Sequence, residues 1–511
     1  MPHEVIDQTL STLSAVLGRH GGELARTIQP GAGLIAFSDT AHAMQRNEEP
    51  PVLDWVPARR TMLYHRPLSG AHPLYYIENW PAQGNLLFAS ELKALLALGV
   101  PRRLHLAALD ALSRYGFIPA PWTLFKDIHI VPAGSILRWQ RAKTLVNPAT
   151  DYHLDELPKQ HDALGHLHSQ LAHATSALLP SHEQLATLCS GDDASILVTL
   201  LATQHTEALF TLATLDYNHV SNIHKDVERV ASRCHRPSLA ITAVDEPAFW
   251  IATLSGLEAP SMDTRPLALH QLLHTVAAET GARVVLSGLG ASTLCGVGLA
   301  QAAGESEQKD ILACYSQTLV PAQHRKFPLW SQEAVTILRR EESWEKSLYA
   351  RKLARQAARI SDKQQRQYYL DLHLRLPDLV VGPAQQLATQ ERIAIRSPYL
   401  SKDVLDTLTR LPALLPDGTR KEHLATTLLY RYLFYRHSGT SHASLAMPTT
   451  SLLRPSTSDV LRQTLSPAAI RATGIFSEHA VEELLKRQEA SRELLLVFTT
   501  QLVCQLFTVG L

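Results

Sequence analysis

Leu188–Leu201, LCSGDDASILVTLL, decides how this chain is read. Leu185, Ala186 and Leu188 form an apolar run of strand length, and Ile196, Leu197, Leu200 and Leu201 recur at helical spacing. Only small and acidic residues lie between, so the chain turns sharply from strand to helix. Such a turn presents backbone N–H groups to anions at a helix N-terminus. Asp192 and Asp193 stand where a phosphate would arrive, and adjacent carboxylates repel an anion unless a divalent cation lies between them. The stretch therefore fits a metal-assisted phosphate loop or a turn that holds no phosphate. A plainer role is also open for Asp193, because an aspartate ahead of ASILVTLL caps a helix.

The surroundings repeat the pattern. From about residue 156, helical stretches alternate with the strand-like runs QLATLCSG, ALFTLATLD, PSLAITAV and RVVLSGLG. Such alternation predicts a parallel, doubly wound sheet with its ligand crevice outside the C-terminal strand ends. CSGDDAS and SGLGAS both follow such strands and should face one crevice, although SGLGAS is also what a tight strand-to-helix turn needs. Residues 60 to 150 read instead as strands punctuated by Gly and Pro (TMLYHRPL, HPLYYIE, NLLFASE, GSILRWQ), and the chain after about 305 is mainly helical.

A length of 511 residues predicts two or three compact units. Lys plus Arg and Asp plus Glu both number 48, without long runs of one sign, so neither nucleic acid nor a membrane is an expected partner. No apolar stretch approaches the ~20 residues of a membrane span, and the start has no apolar signal-peptide core; a soluble, cytoplasmic protein is expected. Five scattered cysteines, none in a CxxC pair, read as reduced and mostly buried thiols. His161, His166, His168 and His173 lie along one predicted helix, and the seven-residue separations within the pairs His161/His168 and His166/His173 suit a polar helix face better than one tight metal site.

Four segments, in order, resemble the asparagine synthetase superfamily. RPLSGAHPLYY (Arg66–Tyr76) is similar to the family's R-D-P-L-G-x-x-P-L-Y-Y strand pair, and LLFASELKALL (Leu86–Leu96) to the segment after it. GFIPAPWTLFKDIHIVPAG (Gly116–Gly134) resembles the linker into the synthetase domain, and Leu374–Pro412 follows the family's Y-L-P-D … E-x-R-x-P-F-L-D helix and turn. The resemblance implies a mixed α/β protein. A degenerate glutaminase-like β-sandwich of Ntn type would occupy residues 1–155, and a doubly wound parallel-sheet synthetase domain of adenine-nucleotide α-hydrolase type, with a helical C-terminal part, residues 156–511. It further implies an ATP- and Mg²⁺-dependent ligase that adenylates a carboxylate and lets an amine attack it. The branch the resemblance points to is that of the β-lactam synthetases and lasso-peptide cyclases, which lack glutaminase activity and use an amine within the substrate instead of ammonia.

Residue by residue, the resemblance is uneven. Position 2 is Pro2, where glutamine-using members carry the nucleophilic cysteine, so glutaminase activity is not expected. Against the pyrophosphate loop S-G-G-x-D-S-S stand Cys189, Ser190, Gly191, Asp192, Asp193, Ala194 and Ser195. The implied nucleotide-binding residues are Ser190, Gly191, Asp193 and Ser195 with Ser287, Gly288 and Gly290, and the implied metal ligands are Asp193 and Asp192. In SGLGASTLCGVG, Leu289, Ser292 and Thr293 replace acidic family residues, Ser292 at the second metal ligand. Lys421, within DGTRKEHL, and His442, where a lysine often faces the adenylate, are the implied catalytic residues. Two functions follow as expectations: an amide ligase acting on a small-molecule or peptide carboxylate, or an inactive homologue serving as partner subunit to another protein in a biosynthetic pathway.

Overall fold

The computed structural model describes residues 52–56, 61–140, 143–148, 162–216, 223–242, 246–297, 310–320, 329–435, 455–487 and 491–511. Its first part holds two antiparallel sheets. One joins β1 (Val52–Val56), β2 (Thr61–His65), β6 (Ser135–Gln140) and β7 (Lys143–Pro148) in the order β1-β2-β6-β7; the other joins β3 (Tyr75–Glu78), β4 (Leu86–Ala89) and β5 (Ile128–Ile130) in the order β4-β3-β5. Met62, Tyr64, Leu137 and Trp139 of the first sheet meet Tyr76, Leu86 and Phe88 of the second in one core. That is the glutaminase-like sandwich.

The alternation of β3 and β4 has a second consequence. Side chains of a strand point to opposite faces in turn, so Tyr75, Ile77, Leu87 and Ala89 face away from the sandwich. They are buried nonetheless, in a core shared with Trp250, Leu254 and Phe498 of the second unit.

That second unit is built on five parallel strands: β8 (Leu185–Leu188), β9 (Thr211–Asp216), β10 (Ser238–Thr242), β11 (Val284–Leu286) and β12 (Ala394–Arg396), in the order β10-β9-β8-β11-β12. Ala186, Leu188, Ala213 and Val285 pack on one face against the helices Pro247–Leu257 and Arg265–Thr280. Leu185, Leu212, Val284 and Leu286 pack on the other against Ala163–Leu178, Asp193–His205 and Ile223–Cys234. Helices on both faces make this the expected doubly wound sheet. The histidine-bearing helix buries Leu164, Leu167 and Leu171 and leaves His166 and His173 exposed. His161 lies outside the described residues. None of the five cysteines is in a disulfide, and all but Cys314 are buried. No described helix is long and apolar enough to cross a membrane.

Backbone contacts seal the seam between the units. Glu258, in the left-handed region at the end of the Pro247–Leu257 helix, accepts the backbone N–H groups of Leu92 (2.8 Å) and Lys93 (2.7 Å), capping the helix Leu92–Ala97 of the other unit. Pro377 sits inside a π-helical stretch, Asp371–Val381, against Gly70. Gly70 has φ +86°, and a Cβ there would collide with Pro377. Asp378, the next residue, accepts the N–H of Ala120 at 2.9 Å.

Candidate nucleotide site at the carboxyl edge of the parallel sheet

β8 ends at Leu188, and the turn through Cys189, Ser190 and Gly191 delivers the chain into the Asp193–His205 helix, with Gly191 at φ +78°. Asp192, one residue earlier than the alternative offered by the sequence, is the N-cap. Its Oδ1 accepts Ser195 N–H at 2.9 Å and its Oδ2 the Ser190 hydroxyl, while the Ser195 hydroxyl donates to the Asp192 carbonyl at 2.9 Å. The carboxylate at the helix N-terminus is thus the chain's own, held by donors that a phosphate oxygen would use.

Asp193 is the first residue of the helix and is 3 % exposed. Its Oδ2 accepts the Thr426 hydroxyl from the helix Leu424–Leu433. The second loop closes against the first: a Cβ on Gly288 would lie 3.0 Å from Ser195 N, and one on Gly290, at φ +84°, 2.8 Å from Leu400 Cδ2. Gly290 is required by its positive φ, and Gly288 lets the two backbones approach closely. The Ser287 hydroxyl, buried, accepts Leu289 N–H at 3.3 Å and faces the Arg396 carbonyl at 3.4 Å. Ser292 is exposed on the short helix Ala291–Leu294, whereas Thr293 is buried with no partner for its hydroxyl among the described residues.

Lys421 is drawn in from the other side. Only 6 % exposed, it donates to the Leu411 carbonyl at 3.2 Å, and its Nζ lies 4.0 Å from the centre of the Tyr368 ring. Among the described residues no carboxylate pairs with it, and burial pulls its amine down to about 7. Cys295 lies beside it, and burial pushes that thiol up to about 11. Tyr399, buried, has no partner for its hydroxyl among the described residues, and burial first, then the neighbouring Cys295, Asp192 and Asp193, raise it well above its ordinary range. Electrostatic proximity thus links the loop to Lys421 through Tyr399 and Cys295. His442 lies outside the described residues.

The family model for asparagine synthase matches residues 166–506, and that for a glutamine amidotransferase domain matches residues 53–152. The chain belongs to the asparagine synthase family. A comparison with curated proteins finds no match. Asparagine synthase family members are ATP-dependent amide-forming ligases that generally require Mg²⁺, and this one keeps the two-unit architecture of that family. Its donor set does not fit the metal: Asp192 caps a helix, Asp193 is bonded to Thr426, Ser292 offers only an exposed hydroxyl, and no described cluster of three acidic, His or Cys side chains is arranged for a metal ion. The small residues of both loops suit close approach of phosphates in shape, but their donors are engaged internally.

Sequence reasoning did not find Thr426, Tyr368 or Tyr399. Thr426 and Tyr368 carried no motif, and Tyr399 stands inside the P-F-L-D-like turn as SPYL, where its added hydroxyl was the available signal.

Proposed function

We propose that this family member is an amide ligase without glutaminase activity, which activates a carboxylate as an acyl-adenylate at the expense of ATP and passes it to an amine. The observation that supports the reading is Lys421. A buried lysine without a counter-ion is costly to a fold, and such groups cluster where charge develops during a reaction. In this reading Lys421 supplies positive charge beside the α-phosphoryl oxygens as the carboxylate oxygen attacks and pyrophosphate leaves. It then faces the acyl-adenylate while the amine displaces AMP. Ser190, Gly191 and Ser195, with Ser287, Gly288 and Gly290, hold the phosphates, and no step is assigned to a metal.

Asp192 favours a second reading, a catalytically silent homologue that serves as a binding subunit, because its carboxylate occupies the anion position of the loop. Exchange of pyrophosphate into ATP, with candidate carboxylates and Mg²⁺, separates the two. Exchange that is present in the wild type and lost in Lys421→Met supports the ligase. Absence of exchange, together with no thermal stabilisation by ATP, supports the silent homologue.

A further inference from the structure

A cavity of about 120 Å³ lies in the seam, away from the nucleotide loops. Its walls are largely apolar, among them Phe117, Ile118, Trp122 and Leu124 of the amidotransferase-like unit and Leu257 of the synthetase unit. Its polar end gathers Tyr75, Arg66, Glu258 and Asp378. An apolar pocket with a few convergent polar groups is the usual form of a small-molecule site. An apolar protein cavity of roughly 150 Å³ holds benzene, so this one suits a ligand of about five heavy atoms.

Charge selects the ligand. Arg66 is 1 % exposed and donates Nη1 to the Val131 carbonyl and Nη2 to the Gly70 carbonyl, both at 2.7 Å. It offsets one of the two carboxylates. Glu258 has both oxygens on backbone N–H groups, whereas Asp378, among the described residues, bonds through Oδ2 alone and is partly open. Lys93, beside Glu258, is already paired with Glu91 at 3.3 Å, so Arg66 and Lys93 face three carboxylates in all and one negative charge is left over. We propose that this seam cavity binds a small aliphatic primary amine, with its ammonium group on Asp378 and its apolar body against Phe117, Trp122 and Leu124.

The electrostatic setting agrees. Burial pushes Glu258 up to about 7 and Asp378 to about 6. Facing Glu258 are Lys93, which lowers it, and Glu91, which raises it; facing Asp378 is Arg66, which lowers it; Tyr75 faces both carboxyls. An ammonium ion binds the ionised carboxylates, so affinity rises between pH 6 and pH 8. The proposal does not depend on the ligase reading.

Isobutylamine, isobutanol and isobutyrate share one shape and differ in charge, and they are compared by titration calorimetry and thermal shift on the full chain. The expected result is saturable binding of the amine alone, stronger at pH 8 than at pH 6. Asp378→Asn should weaken it by roughly tenfold or more, as loss of a buried charge partner does. Ile118→Trp, which fills the cavity without touching a charge, should abolish it. Equal binding of the alcohol, preference for the carboxylate through Arg66, no saturable amine effect, or amine binding that survives Ile118→Trp overturns the proposal. Should Asp378→Asn fail to fold, the three-probe comparison and Ile118→Trp still decide.

Discussion

At position 192 an aspartate supplies, from within the chain, the negative charge that such a loop otherwise takes from a ligand. Asp192→Leu removes the cap and frees Ser195 N–H and the Ser190 hydroxyl. Stability should fall by about 1 kcal/mol. Affinity for ATP should rise, read as the slope of thermal stabilisation against nucleotide concentration; unchanged or weaker stabilisation would show that the carboxylate is not in the phosphate's place. Lys421→Met predicts the opposite trade. Its buried amine has a folded-state pKa of about 7 against 10.5 when exposed, so near neutral pH the folded state carries the cost of charging or deprotonating it. The variant should be more stable by about 1–2 kcal/mol, in the range found when buried charges give way to apolar side chains, and inactive. Because the cationic form is the one proposed to act, wild-type exchange should decline as pH rises through about 7. The two acidic residues were visible in the sequence, but which one caps was not. A helix start displaced by one residue exchanges the cap for the first helical position, and periodicity does not fix ends that finely.

Elements of ordinary length were legible because burial imposes a period on them. β2, β3, β4 and β6 and the parallel strands β8 to β11 all fall within the runs read as strands. β5 and β12, as short as β11 but only partly buried where β11 is buried throughout, leave neither an apolar run nor a period to read. The π-helical stretch Asp371–Val381 was equally silent, since a wider turn around Pro377 serves the fit to Gly70. Gly70→Ala should therefore destabilise by more than about 2 kcal/mol in chemical denaturation, through φ +86° and the collision with Pro377 together. Glu258→Gln puts an amide nitrogen against one of the two N–H groups that Glu258 accepts, and should cost about 1–3 kcal/mol. Its pH signature has a definite sign. A carboxyl raised from 4.5 to about 7 on folding holds its proton more tightly in the folded state, so its contribution is fully present below 4.5 and fades as pH rises through about 7. Glu258→Gln should flatten that part of the stability profile.

For the whole molecule, one apolar core runs from the outer face of β3 and β4 to one face of the parallel sheet. A shared core makes the two units cooperative, so calorimetry should record a single transition, and a variant such as Leu87→Ala should lower it as a whole. Two separated transitions would show that the seam carries little energy. The architecture was readable from four ordered segments, whereas the seam was not. Glu258, Asp378 and Arg66 are far apart in the sequence and belong to no chemical pattern; only the packing of one unit on the other brings them to one cavity.

The outward face of that three-stranded sheet also bears on truncation. Deletion of one unit from a two-unit chain is tolerated only where little buried surface crosses the seam. Here removal of the amidotransferase-like unit would uncover Trp250, Leu254 and Phe498 and leave Glu258 and Asp378 without the N–H groups they accept. A shortened chain would carry that exposed surface, so the amidotransferase-like unit is part of the scaffold of the synthetase unit.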